Sequence, residues 1–300
     1  RIQHIQTQMI YLIVWQRRDF MKIRRIPAVS FSPTGGTKKI VRLLADTMGE
    51  KLHLPVEEIS FTLPEERKRT YTFSGEDLLL LGLPVYAGRI PNKTLPDVES
   101  AFHGNRTLAI AVSVFGNRSF DDGLMELALL LEDRGFLLTA AAAAVSRHAF
   151  SDEIGAGRPD GQDLEELRAF AGKAAQKIKE LQKQQQPAIG ATALKITGHN
   201  PVGPYYTPLR ADGQPARFLK AKPVTDMERC VRCGCCATAC PMGSIDAADT
   251  SMVNGICIKC QACIRICPVH AKSFVDEDFL SHKEMLKEHY KRRAENAFFL

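Results

Sequence analysis

The sequence predicts a two-domain α/β protein: a doubly wound, five-stranded parallel sheet, then a small cysteine-rich α+β domain. Three observations carry this. Apolar runs of strand length alternate with helix-length stretches through residues 21–185, as in a parallel sheet covered on both faces. The 300 residues exceed the usual size of one domain. All nine cysteines fall between Cys230 and Cys267. With 45% apolar and 25% charged residues the upstream part can bury a real core. The formal charge of +6 is spread along the chain and points to neither nucleic acid nor a membrane surface.

Residues 1–20 read as an unstructured leader ahead of Met21. Their apolar run, Met9 to Trp15, is far short of the ~20 residues that span a membrane. Gln16-Arg17-Arg18-Asp19 follows it, where a signal peptide would have small residues. The first domain, 21–185, opens with a strand from Ile26 to Phe31, which runs through Ser32-Pro33-Thr34-Gly35-Gly36-Thr37 into a helical stretch from Lys38 to Met48. Val56 to Ser60 reads as a second strand. Leu78 to Leu83 and Leu108 to Val114 are continuous apolar runs, expected where a strand is covered on both faces. A helix from Asp121 to Arg134, an alanine-rich strand from Phe136 to Val145 and a helix from Gly161 to Lys183 complete the pattern. By analogy with other doubly wound sheets the strand order should be 2-1-3-4-5, with ligands at the carboxyl ends of the strands.

Three loops lie at such ends. In Ser32 to Thr37, glycines let N–H groups converge on an anion, hydroxyls add donors, and a helix N-terminus favours negative charge. The turn is neither a Walker loop nor a G-x-G-x-x-G loop, and a plain strand-to-helix turn accounts for it nearly as well. The other two loops are Pro84-Val85-Tyr86-Ala87-Gly88-Arg89-Ile90-Pro91 and Phe115-Gly116-Asn117-Arg118.

Eight of the cysteines form two copies of one spacing: Cys230, Cys233, Cys236 and Cys240-Pro241, then Cys257, Cys260, Cys263 and Cys267-Pro268. Zinc sites usually bring two separated pairs, often with histidine. Disulfides suit a small secreted domain. The run resembles that of two-cluster bacterial ferredoxins, over about Pro223 to Phe274. In that pattern three cysteines hold one [4Fe–4S] cluster together with the fourth cysteine of the other copy. Applied here, Cys230, Cys233 and Cys236 join Cys267, while Cys257, Cys260 and Cys263 join Cys240. Three thiolates on one tight loop cap three irons of a cube, and the fourth iron faces away, so the two half-sites should fold only together. Cys235 falls outside both spacings and reads as a small buried thiol.

Through Ser32, Thr34, Gly35 and Thr37 the first turn is similar to the [Ser/Thr]-x-Thr-Gly-x-Thr phosphate loop of flavodoxins, with Gly36 and Lys38 as departures. The other two loops, with Asp121-Asp122 and the segment His148…Arg158-Pro159-Asp160, resemble those of flavodoxin–ferredoxin fusion proteins, a resemblance spanning nearly all of the chain after Met21. It implies noncovalent FMN. The phosphate would lie on Ser32, Thr34, Gly35, Gly36 and Thr37. The ring would lie between Pro84, Tyr86, Gly88 and Arg89 on one side and Phe115, Gly116, Asn117 and Arg118 on the other. Tyr86 and Phe115 are the expected ring faces, or else loop anchors packed on the sheet. Arg89 and Arg118 would offset the phosphate or a reduced-flavin anion, or else are solvated.

Residues 186–222 are polar and proline-rich and read as a surface linker pinned by Tyr205-Tyr206. Residues 223–275 form the expected two-cluster domain. Residues 276–300 read as a C-terminal amphipathic helix with Leu280, Met285, Leu286 and Tyr290 on its apolar side. The expected function is electron transfer among a partner protein or small donor or acceptor, the two clusters and FMN. The alternative is a flavin-dependent reductase with His148 or Tyr86 as proton donor; a third reading is a non-catalytic subunit whose clusters serve structure only. No hydrolase or kinase motif is present. Thiolate-bound clusters imply a reducing interior, hence a cytoplasmic protein.

Overall fold

The computed structural model describes residues 22–184 and 193–300. The expected leader, 1–20, lies outside them, as does part of the linker. In chain order the strands of the first domain are β1 (Ile26–Ser30), β2 (Val56–Ser60), β3 (Tyr71–Phe73), β4 (Leu78–Pro84), β5 (Phe102–Gly104), β6 (Thr107–Phe115) and β7 (Phe136–Val145). Its helices are α1 (Gly36–Leu52), α2 (Pro64–Arg67), α3 (Leu95–Ala101), α4 (Gly123–Asp133) and α5 (Gly161–Gln184). β1, β4 and β6 are buried almost throughout, which is why they read as apolar runs without alternation. Leu78 and Leu80 face the core under α1 and α5, and Leu79 and Leu81 face the core under α4. The parallel strands stand in the order β2-β1-β4-β6-β7, the 2-1-3-4-5 order of a flavodoxin-like doubly wound sheet once the small β3-β5 pair is set aside.

The expected five-stranded parallel sheet needs correction. A sixth strand, β10 (Ala297–Phe299), pairs antiparallel with β7. The alanine-rich β7 would otherwise be an open edge, and Phe298 of β10 stacks on Phe170 of α5 at 4.9 Å, covering its small side chains. The expected C-terminal helix is shorter than 276–300. It is α8 (Glu277–His289), capped by the Asp276 carboxylate, which accepts from the Phe279 N–H at 2.9 Å. It buries Phe279, Met285 and Leu286, whereas Leu280 is 36% exposed. Ile154 of the first domain packs on Met285 and Leu286, so α8 bridges the two domains.

Between α8 and β10 the tail is clasped by polar side chains. The Asn117 amide donates to the carbonyls of Tyr290 and Arg292, both at 2.8 Å, and accepts from the Ala294 N–H at 3.1 Å. Asn296 accepts from the Val145 N–H at 2.9 Å and donates to Asp163 and Glu166 at 2.9 and 2.7 Å. Asp163, fully buried, also holds the buried Arg158, which donates to the Ala294 carbonyl at 3.0 Å. The linker is likewise no pure surface strap. Leu194 and Ile196 are each 5% exposed and belong to the core, their apolar side chains two residues apart on one side of the segment. Tyr205 donates to the Ile90 carbonyl at 2.8 Å and the Tyr206 N–H to that of Ala87 at 2.8 Å, pinning the linker to the first domain.

Removing one partner of a buried ion pair strands the other, so Asp163→Ala should lower unfolding free energy by about 3–5 kcal/mol in denaturant titrations. Burial pushes the Asp163 carboxyl up, but hydrogen bonds from Arg158, the Asp160 N–H and Asn296 outweigh it and leave its pKa below the ordinary value. That stabilisation is present above the unfolded pKa of ~3.9 and is lost as pH falls through the folded value. Stability should therefore drop below about pH 4, with a smaller acid step in Asp163→Asn.

Candidate functional site

Strands β8 (Val224–Thr225) and β9 (Lys272–Ser273) pair antiparallel and bracket the cysteines. The two copies repeat at an offset of 27 residues, as Cys230 and Cys257 show. The backbone repeats with them. Arg232 and Lys259 have φ of 54° and 58°, Gly234 and Gln261 75° and 68°, Gly243 and His270 58° and 51°. Each left-handed residue turns the chain back, so each loop closes around a centre. The short helices α6 (Cys235–Thr238) and α7 (Ala262–Ile266) carry the third cysteine of each copy. Cys230, Cys233, Cys236 and Cys267 line one cavity, and Cys257, Cys260, Cys263 and Cys240 line the other. Both crossed sets are therefore brought together.

Backbone N–H groups reach the sulfurs: Ser244 to Cys240 and Lys259 to Cys257, both at 3.4 Å, and Ala271 to Cys267 at 3.2 Å. Donors to the sulfurs tune a bound cluster. Among the described residues no three His, Cys, Asp or Glu side chains converge closely enough for a single metal ion. A cubane is broader than one ion and its ligands stand apart around it, so these walls fit a cluster. Burial pushes the Cys260 and Cys263 thiols up, Cys263 to about 12, so iron entering this cavity must displace their protons. Cys235 is half-buried in the wall of the first cavity beside Cys233, more exposed than the expected buried thiol.

The cavity of Cys240, Cys257, Cys260 and Cys263 sits at the domain boundary. Ile258 packs on the first domain's core, the Met242 sulfur lies 4.0 Å from Arg67, and Arg265 donates to Asp152 at 2.8 Å and to the Ala149 carbonyl at 3.0 Å. Burial and then the charges of Cys260 and Cys257 raise the Tyr86 phenol well above its ordinary pKa. The other cavity has Cys233 and Val231 exposed in its wall.

At the first loop Thr34 and Gly35 are exposed, Gly36 is half-buried and Thr37 is buried. Gly35 has φ 85°. At Gly36 a Cβ would stand 2.7 Å from the Ser146 hydroxyl, so the chain can pass there only without a side chain. The first-turn N–H groups of α1 have no intrahelical acceptor. Ser32 shapes the turn: its hydroxyl accepts from the Lys38 N–H at 3.0 Å and its N–H donates to the Thr62 hydroxyl at 2.9 Å.

The ring-side expectations change more. Phe115 is 4% exposed and packs in the core against Phe120, 5.5 Å away, so it is a sheet anchor. Arg89 is held by Glu126 and the Gly203 carbonyl and lies 4.7 Å from the Tyr205 ring; it is not available to a phosphate. Arg118 pairs with Asp121 and covers Tyr206 at 4.1 Å. Asn117 clasps the tail, Gly116 abuts His148, and Gly88 abuts Asp121. Pro84 and Tyr86 remain half-buried at the loop. Burial, aided by His282, Arg118 and Arg265, pulls the His148 pKa to about 3, so its ring is neutral at pH 7 and offers no imidazolium proton. Thr62, Ser146, Lys259 and Lys272 were not legible as site residues, because no spacing marks them.

The 4Fe-4S binding domain family matches residues 223–246. No curated protein matches the chain. A flavodoxin from the domain Archaea is similar at 17% identity and TM-score 0.36, over 52% of this chain and 99% of its own. Oxidised flavodoxin 2 from Bacillus cereus is similar at 16% and 0.38, over 51% and 99%. Rubredoxin oxygen:oxidoreductase from Desulfovibrio gigas is similar at 16% and 0.38, over 54% of this chain and 37% of that one. Among the described residues no helix is long and apolar enough to cross a membrane.

If the crossed sets each hold a cluster, Cys267→Ala should damage the one on Cys230, Cys233 and Cys236 and spare the other, cutting iron and sulfide in oxygen-free preparations by about half. Cys235→Ala should leave both contents unchanged.

Proposed function

We propose that the chain is an electron-transfer protein of the flavodoxin–ferredoxin fusion kind, carrying single electrons between two [4Fe–4S] clusters and a noncovalent FMN, with a partner protein or small molecule as outer donor or acceptor. The pair of crossed four-cysteine cavities, one of them at the boundary with the first domain, carries this reading. Clusters exchange electrons singly while FMN takes one or two, so their combination can split or merge electron pairs. Cys257, Cys260, Cys263 and Cys240 hold the inner cluster, and Cys230, Cys233, Cys236 and Cys267 the outer one. Thr34, Gly35, Gly36 and Thr37 offer backbone and hydroxyl donors to the phosphate, with Ser32 shaping the turn. Arg89 and Arg118 stiffen their loops through Glu126 and Asp121.

A Cβ at Gly35 meets nothing within 4 Å, and aspartate is among the residues that tolerate left-handed backbone, so Gly35→Asp should fold. Its carboxylate beside the phosphate should weaken FMN binding by roughly 100-fold in equilibrium dialysis, from a like-charge cost of several kcal/mol. With FMN bound, a low-potential reductant should reduce clusters and flavin at a rate independent of protein concentration; a rate rising with concentration would place the transfer between molecules.

A further inference from the structure

Each cysteine cavity has one buried lysine in its wall. Lys259, 8% exposed, lines the inner cavity, and Lys272, 3% exposed, lines the outer one. The Lys259 ammonium donates to the carbonyls of Leu219 and Cys257, the second at 3.0 Å. The Lys272 ammonium donates to the Thr250 carbonyl at 2.5 Å. Among the described residues neither lysine forms an ion pair. Asp276 acts on Lys259 and Asp249 feels Lys272 only through space. Burying an ammonium without a counter-ion is expensive, and carbonyl dipoles compensate only in part.

The repeat sharpens the point, because these positions break its symmetry. The counterpart of Lys259 at the 27-residue offset is Arg232, which is exposed and outside the cavity wall. The counterpart of Lys272 is Ile245, 7% exposed in the wall of the inner cavity. Duplication alone does not put a cation inside each site. Each lysine occupies a place where the other half-site has an outward-facing or apolar residue.

Four thiolates around a [4Fe–4S] core leave a net negative charge, and one added electron enlarges it. We propose that Lys259 and Lys272 are the internal counter-charges of the inner and outer clusters, each raising the reduction potential of its own cluster by favouring the more negative, reduced form. The inference rests on the two-cluster reading above. The step involved is the gain of one electron by a cluster from an external reductant, with no bond made or broken. In low-dielectric surroundings a fixed cation acts strongly on a near charge and far less on one a cluster away.

The test is an anaerobic potentiometric titration of the full chain with dithionite, followed by EPR, for wild type, Lys259→Met, Lys272→Met and the charge-keeping Lys259→Arg and Lys272→Arg. Each Met variant should move the midpoint of its own cluster furthest to more negative potential, the two variants moving different midpoints most, with Lys272→Met, whose lysine also acts on Cys263 of the inner cavity, moving the inner midpoint by the smaller amount. The Arg variants should stay near wild type. Loss of a cluster in a Met variant with retention in its Arg counterpart supports the same role. Unchanged midpoints in cluster-loaded Met variants overturn the inference, as do Arg variants that shift as far as Met, or lose the cluster with it. A wild type with no iron and sulfide overturns the two-cluster reading itself, a result visible before any variant is made.

Discussion

Each cysteine cavity is completed by a residue from the other copy of the repeat, Cys267 for the first and Cys240 for the second. A loop with three left-handed turns can gather three sulfurs by itself, but it cannot reach around to the far corner of a cube. The crossing ties each cavity to both copies of the repeat. It also fixes which cavity lies inward, since the loop from Cys257 to Cys260 carries Ile258 into the first domain's core while Val231, its counterpart, is left 62% exposed. One duplicated sequence thus acquires an inner and an outer site.

The two domains are held together mainly by directed polar contacts and by aromatic packing around α8. Phe150 of the first domain meets Phe279 at 4.8 Å, and Phe279 meets Phe274 at 4.4 Å. The tail then returns to β7, and Asn117 and Asn296 satisfy backbone groups of the tail and of the sheet that would otherwise be buried unpaired. This clasp uses the loop after β6, one of the three that a doubly wound sheet offers to a ligand. Part of the expected cofactor surface therefore serves to seat the small domain.

Charge is handled differently in the two halves. In the doubly wound domain the inward arginines are matched: Arg89 with Glu126, Arg118 with Asp121, Arg158 with Asp163. In the cysteine domain Lys259 and Lys272 have only carbonyl partners within hydrogen-bond reach. A buried cation without a carboxylate is costly in an empty cavity and favourable beside a negative one. The contrast agrees with cavities built for an anionic group.

The apolar strands of the sheet and the two cysteine copies are legible in the sequence alone, while the strand order came by analogy with other doubly wound sheets and the crossing of the cysteines from the resemblance to two-cluster ferredoxins. The legible part rests on local signals: apolar runs of strand length, glycine and hydroxyl residues at a strand-to-helix turn, and a duplicated cysteine spacing. The roles of Phe115, Arg89, Arg118 and Asn117 were decided only by tertiary structure. Each sits where a flavin contact was expected, yet Arg89 and Asn117 are taken by neighbours more than thirty residues or one whole domain away, Arg118 by Asp121 and the linker's Tyr206, and Phe115 by the core and Phe120. The sixth strand was hidden for the same reason, because three residues carry no periodicity until an open edge pairs with them. Lys259 and Lys272 look like ordinary surface lysines in the sequence. Whether an ammonium faces water or a cavity depends on how the chain closes around it, and no local pattern encodes that.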